Sequence, residues 1–122
     1  MAYSILVVDQ EPLEVARLVR PLQSAWYQVT GATTFEAARE TLAERRPHLL
    51  IASERLGPFN GLHLVVRCRL DHPEMAAIVT AGSKDPVLEA EATVYGASCV
   101  VAPQNSTELL ALVSRTFASR PM

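Results

Sequence analysis

Five short apolar runs alternating with helix-patterned stretches predict a doubly wound α/β domain, a (βα)5 three-layer sandwich around a five-stranded parallel sheet. The first, third and fourth runs are almost wholly apolar, as strands covered on both faces must be. A chain of 122 residues with 49% apolar content suffices for one well-buried core. Residues 1–122 are therefore expected to form a single domain, with no output domain attached because the fifth helix nearly ends the chain.

Ser4–Val8 is the first strand, and Pro12 fits the first turn of the next helix, where a missing N–H is tolerated. Val15, Leu18, Val19, Leu22 and Trp26 recur at i, i+3, i+4 spacing and form that helix's expected core stripe. Pro21 lies inside it, where the lost hydrogen bond predicts a kink or a split. Gln28–Ala32 is more polar and reads as an edge strand; Phe35, Ala38 and Leu42 give the second helix its buried face. Leu49–Ala52 is the third strand, with Ser53 at its C-terminal end and a loop from Glu54 to Gly61 beyond. Ala77–Thr80 is the fourth, Gly96 stops the fourth helix, and Ser98–Ala102 is the fifth strand. Asn105, three residues before Glu108, resembles a capping box opening the last helix.

Composition excludes several classes of function. The formal charge of −2 and the lack of a basic run argue against nucleic-acid binding. No apolar stretch approaches the roughly 20 residues of a membrane span, and the first nine residues lack the pattern of a secretion signal, so a cytoplasmic protein is expected. Cys68 and Cys99 form no CxxC and no cluster with histidine, and are read as reduced thiols. The GxGxxG and GxxxxGK[ST] nucleotide loops are missing, and Asp9-Gln10-Glu11 after the first strand would repel a flavin phosphate.

Open parallel sheets place their chemistry outside the C-terminal ends of the strands. That edge receives Asp9 from the first strand and Ser53 from the third. In the same order along essentially the whole chain, Ile5-Leu-Val-Val-Asp9-Gln10-Glu11-Pro12, Leu56 to Leu62, Thr80-Ala81, Gly96-Ala97 and Pro103 resemble the receiver domains of two-component response regulators. The resemblance implies a flavodoxin-like strand order, 2-1-3-4-5. It also implies a pocket of two adjacent acids holding Mg²⁺, a phosphate-accepting aspartate, a switch Ser or Thr, and a lysine. This chain keeps Asp9 and Thr80 of that set. Gln10 stands for the second acid, Ser53 for the phosphoacceptor and Ala102 for the lysine, while Val100 or Val101 takes the usual aromatic's place and Gly57-Pro58 reverses the usual order.

These replacements change the expected chemistry. Mg²⁺ prefers hard anionic oxygens, and the ligand charge falls from about −3 to about −1, so Asp9 is a weak metal candidate and no cofactor is expected. Ser53 would need a general base within reach to act as a nucleophile. His48 belongs to the opposite end of the third strand, and His63 and His72 fall on or just after the third helix, where a satisfied or solvated imidazole is the simpler reading. Glu54 should point away from Ser53, as successive strand side chains do, and reads either as a solvated loop acid or as a built-in phosphate mimic. Thr80 has a structural reading, a hydroxyl bonded to nearby backbone, beside a switch reading.

A non-enzymatic pseudo-receiver, signalling or scaffolding through protein contacts without phosphorylation, is the expected function. The alternative is an unconventional regulator modified or ligand-switched at Asp9, Ser53 and Thr80. Partners implied by the resemblance are a kinase, a regulator or a second copy, engaged through the face of the fourth helix, fifth strand and fifth helix. In the last helix Leu109, Val113 and Phe117 supply a core stripe, and Leu110, Ala111 and Leu112 are extra apolar positions. With Arg115 these form a candidate interaction face, unless Leu110 and Leu112 only widen the core contact.

Overall fold

In a computed structural model describing residues 2–119, the hydrophobic alternation becomes five strands and five helices. They follow in the order β1 (Ser4–Val8), α1 (Pro12–Ser24), β2 (Gln28–Ala32), α2 (Phe35–Glu44), β3 (Leu49–Ser53), α3 (Gly61–Cys68), β4 (Ala76–Ala81), α4 (Pro86–Val94), β5 (Ser98–Val101) and α5 (Ser106–Ala118). The strands pair in parallel in the order β2-β1-β3-β4-β5, as the resemblance implies. Among the described residues no helix is long and apolar enough to cross a membrane.

Successive strand side chains enter two separate cores. Ile5, Val7, Leu49, Ile51 and Ile78 meet Leu18 and Leu22 of α1 and Leu109, Val113 and Phe117 of α5. Leu6, Val8, Leu50, Ala52, Ala77 and Val79 meet Phe35, Ala38 and Leu42 of α2, Leu64 and Val65 of α3, and Leu88 and Ala92 of α4. The central strands β1, β3 and β4 are buried along nearly their whole length, while β2 and β5 are half-exposed edges. Full burial of the middle strands explains why their sequence runs do not alternate.

Several boundaries and packing assignments depart from the sequence reading. β3 reaches Ser53, β4 gains a residue at each end, and β5 stops at Val101, although the Ala102 N–H still donates to the Ala81 carbonyl at 2.9 Å. α1 is not split at Pro21. The proline sits in the last turn, and the residue four before it, Arg17, is exposed, so the carbonyl that loses a partner lies on the wet side of the helix. Trp26 does not join the core: it is 86% exposed with φ +72°. The helix has already ended. Trp26 N–H donates to Gln23 O and Tyr27 N–H to Leu22 O, the paired bonds of a Schellman stop, so the 3.6-residue period no longer applies. Tyr27 packs inward in its place.

α4 closes with the same pair of bonds, from Gly96 N–H to Thr93 O and from Ala97 N–H to Ala92 O, with Gly96 at φ +71° as the sequence predicts. At α5, the Asn105 side chain accepts from Glu108 N–H at 2.9 Å. Glu108 reaches back to Gln104 N–H rather than to Asn105, so the expected capping box is only half formed. A complete box stands unpredicted at α3, where Asn60 Oδ1 accepts from His63 N–H and His63 Nδ1 accepts from Asn60 N–H.

Candidate functional site

The C-terminal ends of β1, β3 and β4 converge, and the parallel register sets their side chains in rows. Val8 lies opposite Ala52, and Ser53 lies opposite Thr80. Asp9 and Gln10 follow β1 directly, and Ala102 follows β5. The sequence-selected residues thus gather at one edge of the sheet, with Thr80 buried and Ser53 half-buried.

Asp9, Gln10, Ser53 and Glu54 each accept a hydrogen bond from a loop amide. Asp9 Oδ1 accepts from Glu11 N–H at 3.0 Å. Burial pushes the Asp9 carboxyl above its ordinary value; the Glu11 N–H bond opposes this, and the charges of Glu14 and Glu11 add to it. Gln10 Oε1 accepts from Gly57 N–H at 2.9 Å, joining the loop after β1 to the loop after β3. Ser53 Oγ accepts from Arg55 N–H at 3.1 Å, a local side-chain turn at the strand end. Glu54 N–H donates to the Thr80 carbonyl at 2.8 Å, extending the β3–β4 ladder by one step.

Three positions at this edge carry roles the sequence reading did not assign. Glu54 is a half-buried loop acid with a partner of its own: its Oε1 accepts from Gly82 N–H at 3.0 Å. Gln10, which stands where the family has a second acid, bridges two loops through its amide oxygen. At Gly61, the first residue of α3, a Cβ would lie 2.6 Å from the Ser53 carbonyl oxygen and 2.7 Å from that of Ala52. The helix can approach the end of β3 this closely only without a side chain. The Asn60-Gly61 pair, a cap followed by the smallest residue, was the available signal for that approach.

None of the histidines is hydrogen-bonded to Ser53. His63 closes the α3 cap through Nδ1, and His48 Nδ1 accepts from Ser4 N–H at 3.0 Å at the far end of β3. His72 is buried between α3 and β4.

The candidate interaction face is only partly exposed. Leu110 and Leu112 are half-buried against the α1/α5 core, which favours the wider core contact for both. Ala111 and Arg115 are exposed, and with Leu112, Val101, Ala102 and Pro103 they line an open groove of about 500 Å³ between β5 and α5. Val101 is 47% exposed, whereas Val100 is half-buried.

A family model described as the response regulator receiver domain matches residues 5–114. The chain is 29% identical over 121 residues to the nitrogen assimilation regulatory protein NtrX of Azorhizobium caulinodans, covering 96% of this chain and 26% of that protein. It is 30% identical over 79 residues to the photosynthetic apparatus regulatory protein RegA of Rhodobacter capsulatus, covering 65% of this chain and 43% of that one. The chain therefore spans less than half the length of either relative. Among solved structures, the chemotaxis response regulator CheY4 of Vibrio cholerae superposes with a TM-score of 0.87 at 21% identity, covering 95% of this chain and 99% of that one. A CheY-like receiver domain protein of Methanospirillum hungatei gives 0.90 at 19% identity, covering 98% and 97%. At these identities the structural likeness speaks to the fold.

Proposed function

Because the chain belongs to the response regulator receiver domain family of two-component signalling, we propose that it works as a pseudo-receiver: a cytoplasmic module that signals or scaffolds by binding another protein, without being phosphorylated. The observation that carries this reading is Ser53. It holds the strand-end position opposite Thr80 and accepts a hydrogen bond from Arg55 N–H, with no imidazole hydrogen-bonded to it to take its proton. A serine hydroxyl in that setting is a turn-forming group rather than a nucleophile.

Mg²⁺, which the family's chemistry implies, does not suit the donors at this edge. Of Asp9, Gln10, Ser53, Thr80 and Ala102, only Asp9 carries a carboxylate, and the oxygens of Gln10 and Ser53 already accept backbone N–H bonds. Ala102 offers no cation to offset a phosphoryl group. With the pocket inert, function passes to surfaces, and the β5–α5 groove with exposed Ala111 and Arg115 is the face for a kinase, a regulator or a second copy. The test is an amide NMR titration of the labelled chain with Mg²⁺ and then beryllofluoride, an imitation of a phosphoryl group on aspartate. We expect no saturable shifts at Asp9, Ser53 or Thr80; saturable shifts there would replace this reading with a ligand-switched regulator.

A further inference from the structure

We propose that Glu54 is a positioning residue whose carboxylate tethers the β4–α4 loop, and through it helix α4, to the end of β3. α4 is lightly held: Leu88 and Ala92 are its buried residues, as few as the two of α1, against three in α2 and in α5 and five in α3. Its outward side carries exposed Val87, Ala90 and Val94 at i, i+3, i+7 spacing, which add nothing to its attachment. Residues 82–84 of the preceding loop are exposed as well.

Two contacts at this loop lead only into α4 itself. Asp85 Oδ1 accepts from Leu88 N–H at 3.0 Å, and Lys84 pairs with Glu89 at 3.3 Å. The bond from Gly82 N–H to Glu54 Oε1 is different, because it crosses 28 residues to the loop after β3. Its anchor is firm. Glu54 N–H is fixed to the Thr80 carbonyl at 2.8 Å, so the side chain works from a point locked to the β3–β4 ladder. A charged acceptor makes such a bond stronger than one between neutral groups.

Removing the carboxylate therefore releases the loop at its first residue, and the weakly packed helix behind it gains freedom to shift. The tether belongs to the free domain and stands apart from the phosphorylation-independent reading; a responsive pocket would leave it intact. Amide hydrogen exchange on the full labelled chain, compared among wild type, Glu54→Ala and Glu54→Gln, tests it. In Glu54→Ala the amides of Gly82 and α4 are expected to exchange roughly tenfold faster while those of β1, β3 and α5 keep their rates. Glu54→Gln retains an acceptor oxygen and is expected to restore protection. Unchanged exchange at Gly82 and α4 in the alanine variant, acceleration spread evenly over the sheet, or a glutamine variant as fast as the alanine one would each overturn the proposal.

Discussion

Tyr3, just before β1, stacks on Phe117 of α5 with ring centroids 4.0 Å apart, while Asp9, just after the same strand, meets a single backbone N–H at 3.0 Å. Rings pack at both ends of the sheet, since Phe59 in the loop after β3 stacks on Phe35 at 4.5 Å, but the C-terminal end also hangs four loop amides on four separate side chains. At the N-terminal edge the Tyr3 ring also contacts His48 edge-on at 5.1 Å, and Tyr27 leans on Phe117 at 5.7 Å. Arg69 adds a clamp there, donating to the carbonyls of Tyr95, His72 and Met75, with its remaining Nη2 buried and unpaired among the described residues. At the C-terminal edge Asp9, Gln10, Ser53 and Glu54 each hold one loop amide. Ring packing contributes through buried area, so losing a shared ring weakens the whole fold; single bonds to loops open locally and independently.

Phe117→Ala probes the packed edge and carries the largest expected effect. It removes a ring shared by Tyr3 and Tyr27 and should lower unfolding stability by about 3 kcal/mol, read by urea denaturation followed by circular dichroism. A loss below 1 kcal/mol would mean that the rings are ornament and the contrast fails.

Gly61→Ala tests the opposite edge. The added methyl would meet two backbone oxygens under 3 Å away, so α3 must retreat from β3, costing about 2 kcal/mol. A wild-type melting temperature would show that this edge yields freely.

Trp26→Gly sharpens the comparison from a third place. The α1 stop uses at φ +72° a tryptophan where the α4 stop uses Gly96 at φ +71°, so relieving the left-handed strain should raise stability by about 1 kcal/mol. No gain would mean the indole earns its position through contacts the fold does not display.

The smallest effect belongs to Asp9→Asn. Burial raises the Asp9 pKa in the folded state above its unfolded value, so the protonated form is the one folding favours. Its contribution is fully present below the ordinary carboxylate range and is lost as pH rises through the folded pKa. The asparagine variant should therefore gain slightly over wild type at neutral pH and lose that advantage on acidification. A pH-independent difference would remove the titration of Asp9 as the cause.

Much of the frame was legible because burial leaves a strong mark on sequence. The apolar runs of β1, β3 and β4 and the Phe35-Ala38-Leu42 stripe name core residues correctly. Trp26 was misplaced because helical periodicity carries no information about where a helix stops, and the residue in the left-handed position was not a glycine. At the site, Asp9, Ser53 and Thr80 were brought to one edge by register, which the strand pattern predicts. The bonds from Gln10 to Gly57 and from Glu54 to Gly82 join residues 47 and 28 positions apart, and nothing in local sequence encodes such pairings. Read residue by residue, both looked like lost or idle groups.

The displaced indole also decides how this protein can be watched. Trp26 is the chain's single tryptophan and already stands in water in the native state. Its emission should be nearly as red-shifted before denaturation as after, and an aqueous quencher such as iodide should reach it in both. A fluorescence melt would then run almost flat through the true transition, and a screen relying on it would score a well-folded domain as unfolded.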